Sequence, residues 1–224
     1  MDRNLDLVWQ EQLATSGFVA GFVDAQTQWS QAGKNSVNSL KCRYINKFGD
    51  LDTTCFFCSY DEDFDAACTH CPGKSIDPSF SCNKPEYHYA LCPVQFFNKI
   101  LGLNRGREQP ELERAWCDCL AQWGWIAGYV TAKGKGWRPC GVNSTARLKR
   151  RYASLYSADL GIKVKCWFCQ YARAHRSDTV NLCSVCPGRL VDGEFSCYRD
   201  DYNYCKRPLE FFKKILCLNR ERNR

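Results

Sequence analysis

The sequence predicts an α+β fold built twice, as a pseudo-twofold tandem repeat of one αβ unit with a four-cysteine segment in each copy. Three observations predict it. An internal repeat runs the length of the 224 residues. A small-residue helical face opens each copy, and alternating basic residues mark the segment that follows.

The repeat is read by laying the halves side by side. LATSGFVAGFV at 13–23 returns as LAQWGWIAGYV at 120–130. Cys55, Cys58, Cys68 and Cys71-Pro72-Gly73 return as Cys166, Cys169, Cys183 and Cys186-Pro187-Gly188. Phe80-Ser81-Cys82 matches Phe195-Ser196-Cys197, and Tyr87 and Tyr89 match Tyr202 and Tyr204. Pro93, Phe96-Phe97 and Leu103-Asn104-Arg105 match Pro208, Phe211-Phe212 and Leu218-Asn219-Arg220. The order never changes, and drift in spacing is confined to loops. Two units follow, 1–107 and 112–224, joined through the polar stretch 106–111.

Composition is compatible with two small packed units. Hydrophobic residues make up 45% and aromatics 14%, which excludes global disorder. Lys+Arg number 31 against 24 Asp+Glu, a net charge of +7, which favours a polyanionic partner without requiring one. The longest apolar stretches, 17–23 and 120–130, fall short of the ~20 residues of a spanning helix. The N-terminus lacks a charged-then-apolar secretory pattern. Seventeen cysteines in an odd count and at two-residue spacings suit metal ligation better than a disulfide framework. The expected location is an intracellular, reducing compartment; nucleus, organelle and cytoplasm stay open.

The first helix of each unit carries small residues on one face. Leu13, Gly17, Ala20, Gly21 and Asp24 recur at helical spacing, as do Leu120, Gly124, Ala127, Gly128 and Thr131. Two mid-helix glycines cost about 1 kcal/mol each relative to alanine, and close approach of two backbones offsets that. The two helices are therefore expected to pack on each other through Gly17, Ala20, Gly21, Gly124, Ala127 and Gly128. The alternative is that each glycine pair packs against its own sheet. A strand is expected next, with Lys41, Arg43 and Lys47 alternating with Cys42, Tyr44, Asn46 and Phe48. In the second copy Arg147, Lys149 and Arg151 take one face and Leu148, Tyr152 and Tyr156 mostly the other, with Arg150 interrupting. A Pro-led amphipathic helix closes each unit, at 93–103 and 208–218.

Val19-Ala20-Gly21-Phe22-Val23-Asp24-Ala25 resembles the LAGLIDADG motif of homing endonucleases. Ile126-Ala127-Gly128-Tyr129-Val130-Thr131-Ala132-Lys133-Gly134 is similar to a degenerate second copy. The resemblance implies two α+β units packed through these helices, with their sheets forming a saddle over duplex DNA. It also implies a metal-binding acid from each helix, and here those positions hold Gln26 and Lys133. An amide is a poor Mg²⁺ ligand and an ammonium repels the ion, so the cleavage centre is expected to be lost. Asp24 remains, but its counterpart in the family caps the interface, and its second-copy partner is Thr131.

The cysteine spacing makes its own case. C-x2-C-x9-C-x2-C and C-x2-C-x13-C-x2-C suit two tetrahedral four-cysteine zinc sites, Cys55, Cys58, Cys68 and Cys71 in one unit and Cys166, Cys169, Cys183 and Cys186 in the other. Iron–sulfur ligation is the competitor; redox-active thiols lack a thioredoxin-like context. Cys82 and Cys197 are either alternative ligands or buried apolar residues, with burial the favoured reading. Cys42, Cys92, Cys117, Cys119, Cys140, Cys205 and Cys217 do not align and read as core filler, though Cys117 and Cys119 are open to a further site. His70, His88 and His175 are unmatched, which argues against a shared catalytic histidine.

The expected function is nucleic-acid binding without cleavage, by a splicing helper or ribonucleoprotein component. Lys41, Arg43, Lys47, Arg147, Lys149 and Arg151 would contact phosphates and bases, and the basic tail 213–224 would add attraction. RNA is set ahead of DNA by the resemblance alone. The alternatives are an active site-specific DNA endonuclease with divergent ligands, and a zinc-stabilised structural or protein-interaction scaffold.

Overall fold

The computed structural model describes residues 4–31, 36–49, 55–60, 70–138, 142–157, 166–176 and 181–224. Nine α-helices are found among them, α1 (Leu5–Asp24), α2 (Val37–Phe48), α3 (Phe56–Tyr60), α4 (Pro93–Gly106), α5 (Glu111–Lys133), α6 (Val142–Tyr156), α7 (Trp167–His175), α8 (Pro187–Val191) and α9 (Pro208–Arg222). There is no strand among the described residues, so the expected α+β class is corrected to all-α. The two segments expected to be strands are the helices α2 and α6.

The reason lies in which residues are buried. Val37, Leu40, Tyr44 and Phe48 are buried on α2, and Leu148, Tyr152 and Tyr156 on α6. Their spacings of three and four are those of one helix face. The basic residues alternate only because they flank that face. Ser36 caps α2 by accepting from the Ser39 amide at 3.2 Å. Among the described residues no sheet stands on either side of the paired helices, so the saddle implied by the resemblance has no described strands to form it.

At the centre, α1 and α5 run parallel with their backbones in close contact. A Cβ on Gly17 would lie 2.7 Å from the Ala121 carbonyl oxygen, and one on Gly124 would strike the Ala14 carbonyl. Gly21 abuts the Trp125 carbonyl as Gly128 abuts that of Phe18. Each contact maps onto its partner when the copies are exchanged, as expected of a self-complementary twofold interface. Gly134, at φ +49°, ends α5 in a conformation few side chains adopt.

The outer helices are interleaved across the halves. Tyr44 and Phe48 of α2 meet Phe212 of α9, with Phe48 edge-on at 5.0 Å. Correspondingly, Tyr152 and Tyr156 of α6 meet Phe97 of α4, with Tyr156 edge-on at 5.0 Å. Asp24 at the end of α1 accepts from Trp125 Nε1 and the Tyr156 hydroxyl, both at 2.8 Å. One apolar core therefore runs through both halves. No described helix is long and apolar enough to cross a membrane.

Candidate metal centres

Each centre starts from a C-x2-C turn at the head of a short helix. Cys55 precedes α3 and Cys58 lies within it, while Cys166 caps α7 and Cys169 lies in its first turn. The residues between the cysteines are Phe56-Phe57 and Trp167-Phe168, and all four are buried. Phe57 meets Trp9 of α1 at 4.6 Å and 68°, and Phe168 meets Trp116 of α5 at 4.6 Å and 69°. Apolar anchoring thus fixes both thiol pairs against the central helices in the same way.

The first thiol of each pair is held down chiefly by neighbouring thiols, and Cys169 is pushed up by its hydrogen bond to Cys166. Hydrogen bonding from the Cys58 side chain holds the Cys55 thiol down at about 6, with help from Lys41 and the Cys58 and Phe57 amides against the opposing effect of burial. Cys166 is held well below the usual thiol range, first by the Cys119 thiol, then by Cys169, with Lys149 contributing. Burial pushes Cys186 up to about 11 and raises Cys197 as well.

The remaining cysteines close around these pairs. In the second half one cavity of about 430 Å³ is lined by Cys166, Cys169, Cys183, Cys186 and Cys197. In the first, a cavity of about 20 Å³ is lined by Cys55, Cys58, Cys71 and Cys82; Cys68 lies outside the described residues. Cys82 and Cys197, favoured above as buried apolar residues, are half-buried and line the cavities. A sequence signal for them existed, since each follows the Cys-Pro-Gly cysteine by eleven residues in both copies. Among the described residues no group of three or more Cys, His, Asp or Glu side chains is drawn into metal-holding positions.

Of the unaligned cysteines, Cys119 is fully buried on α5 and hydrogen-bonded to the Cys166 sulfur, both thiols being free. Cys117 contacts Gln109 instead, 3.9 Å away. Cys205 is buried, Cys92 half-buried, and Cys42 and Cys217 exposed; Cys140 lies outside the described residues. None of the three histidines lines either cavity.

The six basic residues expected to meet nucleic acid do not form one face. Lys41 and Lys149 are buried, with relative exposures of 6% and 7%. Lys41 Nζ sits 4.6 Å from the Tyr89 ring centre, and Lys149 Nζ sits 4.2 Å from that of Tyr204. Arg43 and Arg151 lie over Phe22 and Tyr129, each at 5.4 Å. Lys47 and Arg147 are exposed. Gln26, just beyond the end of α1, is half-buried, and Lys133, at the end of α5, is exposed; these are the positions where the resemblance implies acids. Comparison with known protein families, with curated proteins and with solved structures finds no match.

Proposed function

We propose that each half folds around one zinc ion held by cysteine thiolates, and that the chain is a zinc-stabilised helical scaffold for binding a partner. The observation that carries this reading is the recurrence, in both halves, of a cysteine-lined cavity anchored to the central helices by matching aromatic contacts. Four thiolates satisfy the tetrahedral preference of zinc, and the ion adds folding energy to a small helical unit. Atomic emission on purified protein should find two zinc ions per chain in a colourless sample. A brown sample containing iron and sulfide would replace zinc with a cluster, and metal-free protein that takes up none would end the reading.

A second reading, with nucleic acid as the partner, is favoured by a separate observation. A cleft of about 290 Å³ is lined by Lys47, Lys206 and Arg207 with Trp137 in its wall, opposed by a single acid, Glu210. Lys133 and Lys135 flank it in the chain and are exposed. Cations beside an aromatic surface suit the phosphates and bases of single strands. Binding to RNA and to duplex DNA across a salt series should weaken steeply with salt, and Lys47→Glu with Arg207→Glu should reduce affinity and flatten the slope. Unchanged binding in the double variant would remove the cleft from the reading.

A further inference from the structure

We infer that Cys82 and Cys197 supply the fourth thiolates, giving Cys55, Cys58, Cys71 and Cys82 in one centre and Cys166, Cys169, Cys186 and Cys197 in the other, with Lys41 and Lys149 as their buried counter-cations. The inference rests on the zinc reading above and replaces Cys68 and Cys183 in the ligand set.

The segment that presents the inferred ligand has the same frame in both copies, although 187–191 form α8 where 72–76 form turns. Cys-Pro-Gly-x3-Asp-x2-Phe-Ser-Cys spans 71–82 and 186–197 without insertion, whereas the approach to Cys68 and Cys183 differs in length by four residues. Asp77 pairs with Lys99 at 2.7 Å and Asp192 with Lys214 at 2.9 Å, tying each segment to the closing helix of its half. Phe80 stacks on Tyr87 and Phe195 on Tyr202, both at 5.9 Å and 9°. Gly73 and Gly188 are required beneath those phenylalanines, because a Cβ at either would run into the ring. The Tyr89 amide then donates to the Cys82 carbonyl at 2.8 Å, and the Tyr204 amide to that of Cys197 at 3.1 Å. A rigid frame repeated in this detail positions a ligand. In the second half, where all five cysteines are described, Cys183 is exposed while Cys166 and Cys186 are buried and Cys197 is half-buried.

The lysines supply the electrostatic argument. Lys41 and Lys149 occupy equivalent places in α2 and α6, in the shared pattern Leu-Lys-x-Arg-Tyr. Each ammonium rests on the tyrosine whose amide holds the inferred ligand's backbone, and Lys149 also lines the cysteine cavity. Among the described residues neither has a carboxylate partner. A buried ammonium without an anion is costly. Zinc with four thiolates carries two net negative charges, and one lysine beside it neutralises half of them.

The test uses the full chain loaded with zinc. Alkylation by iodoacetamide, read by peptide mass spectrometry, should label Cys68 and Cys183 and spare Cys82 and Cys197 until a chelator is added. The Cys183→Ser chain should keep two zinc ions, and Cys197→Ser should keep one. Labelling of Cys197 with protection of Cys183 overturns the ligand assignment while leaving the zinc reading intact, and a chain that holds no zinc sinks that reading itself. The labelling arm needs no variant to fold. For the cation, Lys149→Met should lose zinc to a competing chelator about tenfold faster, the lower range for removing a group that supports metal ligands, and Lys149→Arg should restore retention. Equal release from Lys149→Met and the unaltered chain would refute the counter-cation role.

Discussion

Glu11 and Asp118 stand at equivalent positions of α1 and α5, and both are buried. Glu11 reaches Arg220 of the opposite half with two bonds, at 2.7 and 3.1 Å. Asp118 is one methylene shorter, and its Oδ1 and the Nε of Arg105, the counterpart of Arg220, have no hydrogen-bond partner. Burial therefore pushes the Asp118 carboxyl up to about 6, against the pull of Arg105 and Arg114. Its folded value lies above the unfolded one, so ionisation destabilises the fold as pH rises from about 4 through 6. Asp118→Asn should be more stable than the unaltered chain at pH 7, by at most about 3 kcal/mol, with the difference shrinking by roughly half at pH 5. Urea unfolding of the two chains across that range checks it, and a pH-independent difference would dismiss the account. Arg220→Met, which strands a buried carboxylate, should cost about 3–5 kcal/mol.

At the scale of elements, the glycines of α1 and α5 separate two kinds of helix position. Gly21→Ala or Gly128→Ala places a methyl on a backbone carbonyl of the facing helix. No side chain can swing away to relieve that, so each should destabilise by about 3 kcal/mol, the upper range for overpacking. Gly102 of α4 has nothing within 4 Å of its absent Cβ. Gly102→Ala should instead stabilise by roughly 0.5–1 kcal/mol through helix propensity. Thermal unfolding of the three variants tests the contrast, and similar shifts in all three would show that backbone contact is not what the glycines serve. The misreading of α2 and α6 as strands belongs to the same scale. Following the charges at 41, 43 and 47 suggested period two, while the apolar residues at 37, 40, 44 and 48 already carried the helical period. Apolar residues report periodicity because they must face the core, whereas long basic side chains at 41, 43 and 47 can be accommodated at several places around a helix, Lys41 buried and Lys47 exposed.

At the scale of the molecule, one core joins the halves, so damage to one centre should spread. Cys166→Ser, or partial chelation, should lower the protection of amides in α1 and α2 as well as in α6 and α7, by hydrogen exchange followed peptide by peptide. Loss confined to the second half would mean that the halves open independently.

What the sequence by itself determined was the duplication, the small-residue face of the paired helices and the cysteine pairs, since each is a local pattern repeated at fixed order. The LAGLIDADG-like heptapeptide was legible too, but it did not determine the fold around it, because seven residues at the end of one helix say nothing about whether sheets or helices cover its other faces. Only the tertiary structure decided that Lys41 and Lys149 are interior residues beside the cysteines. Only it drew Cys82 and Cys197 into the cavities. Burial is a property of the assembled chain: the amide that holds Cys197 and the ring beneath Lys149 belong to Tyr204, more than fifty residues beyond that lysine in sequence.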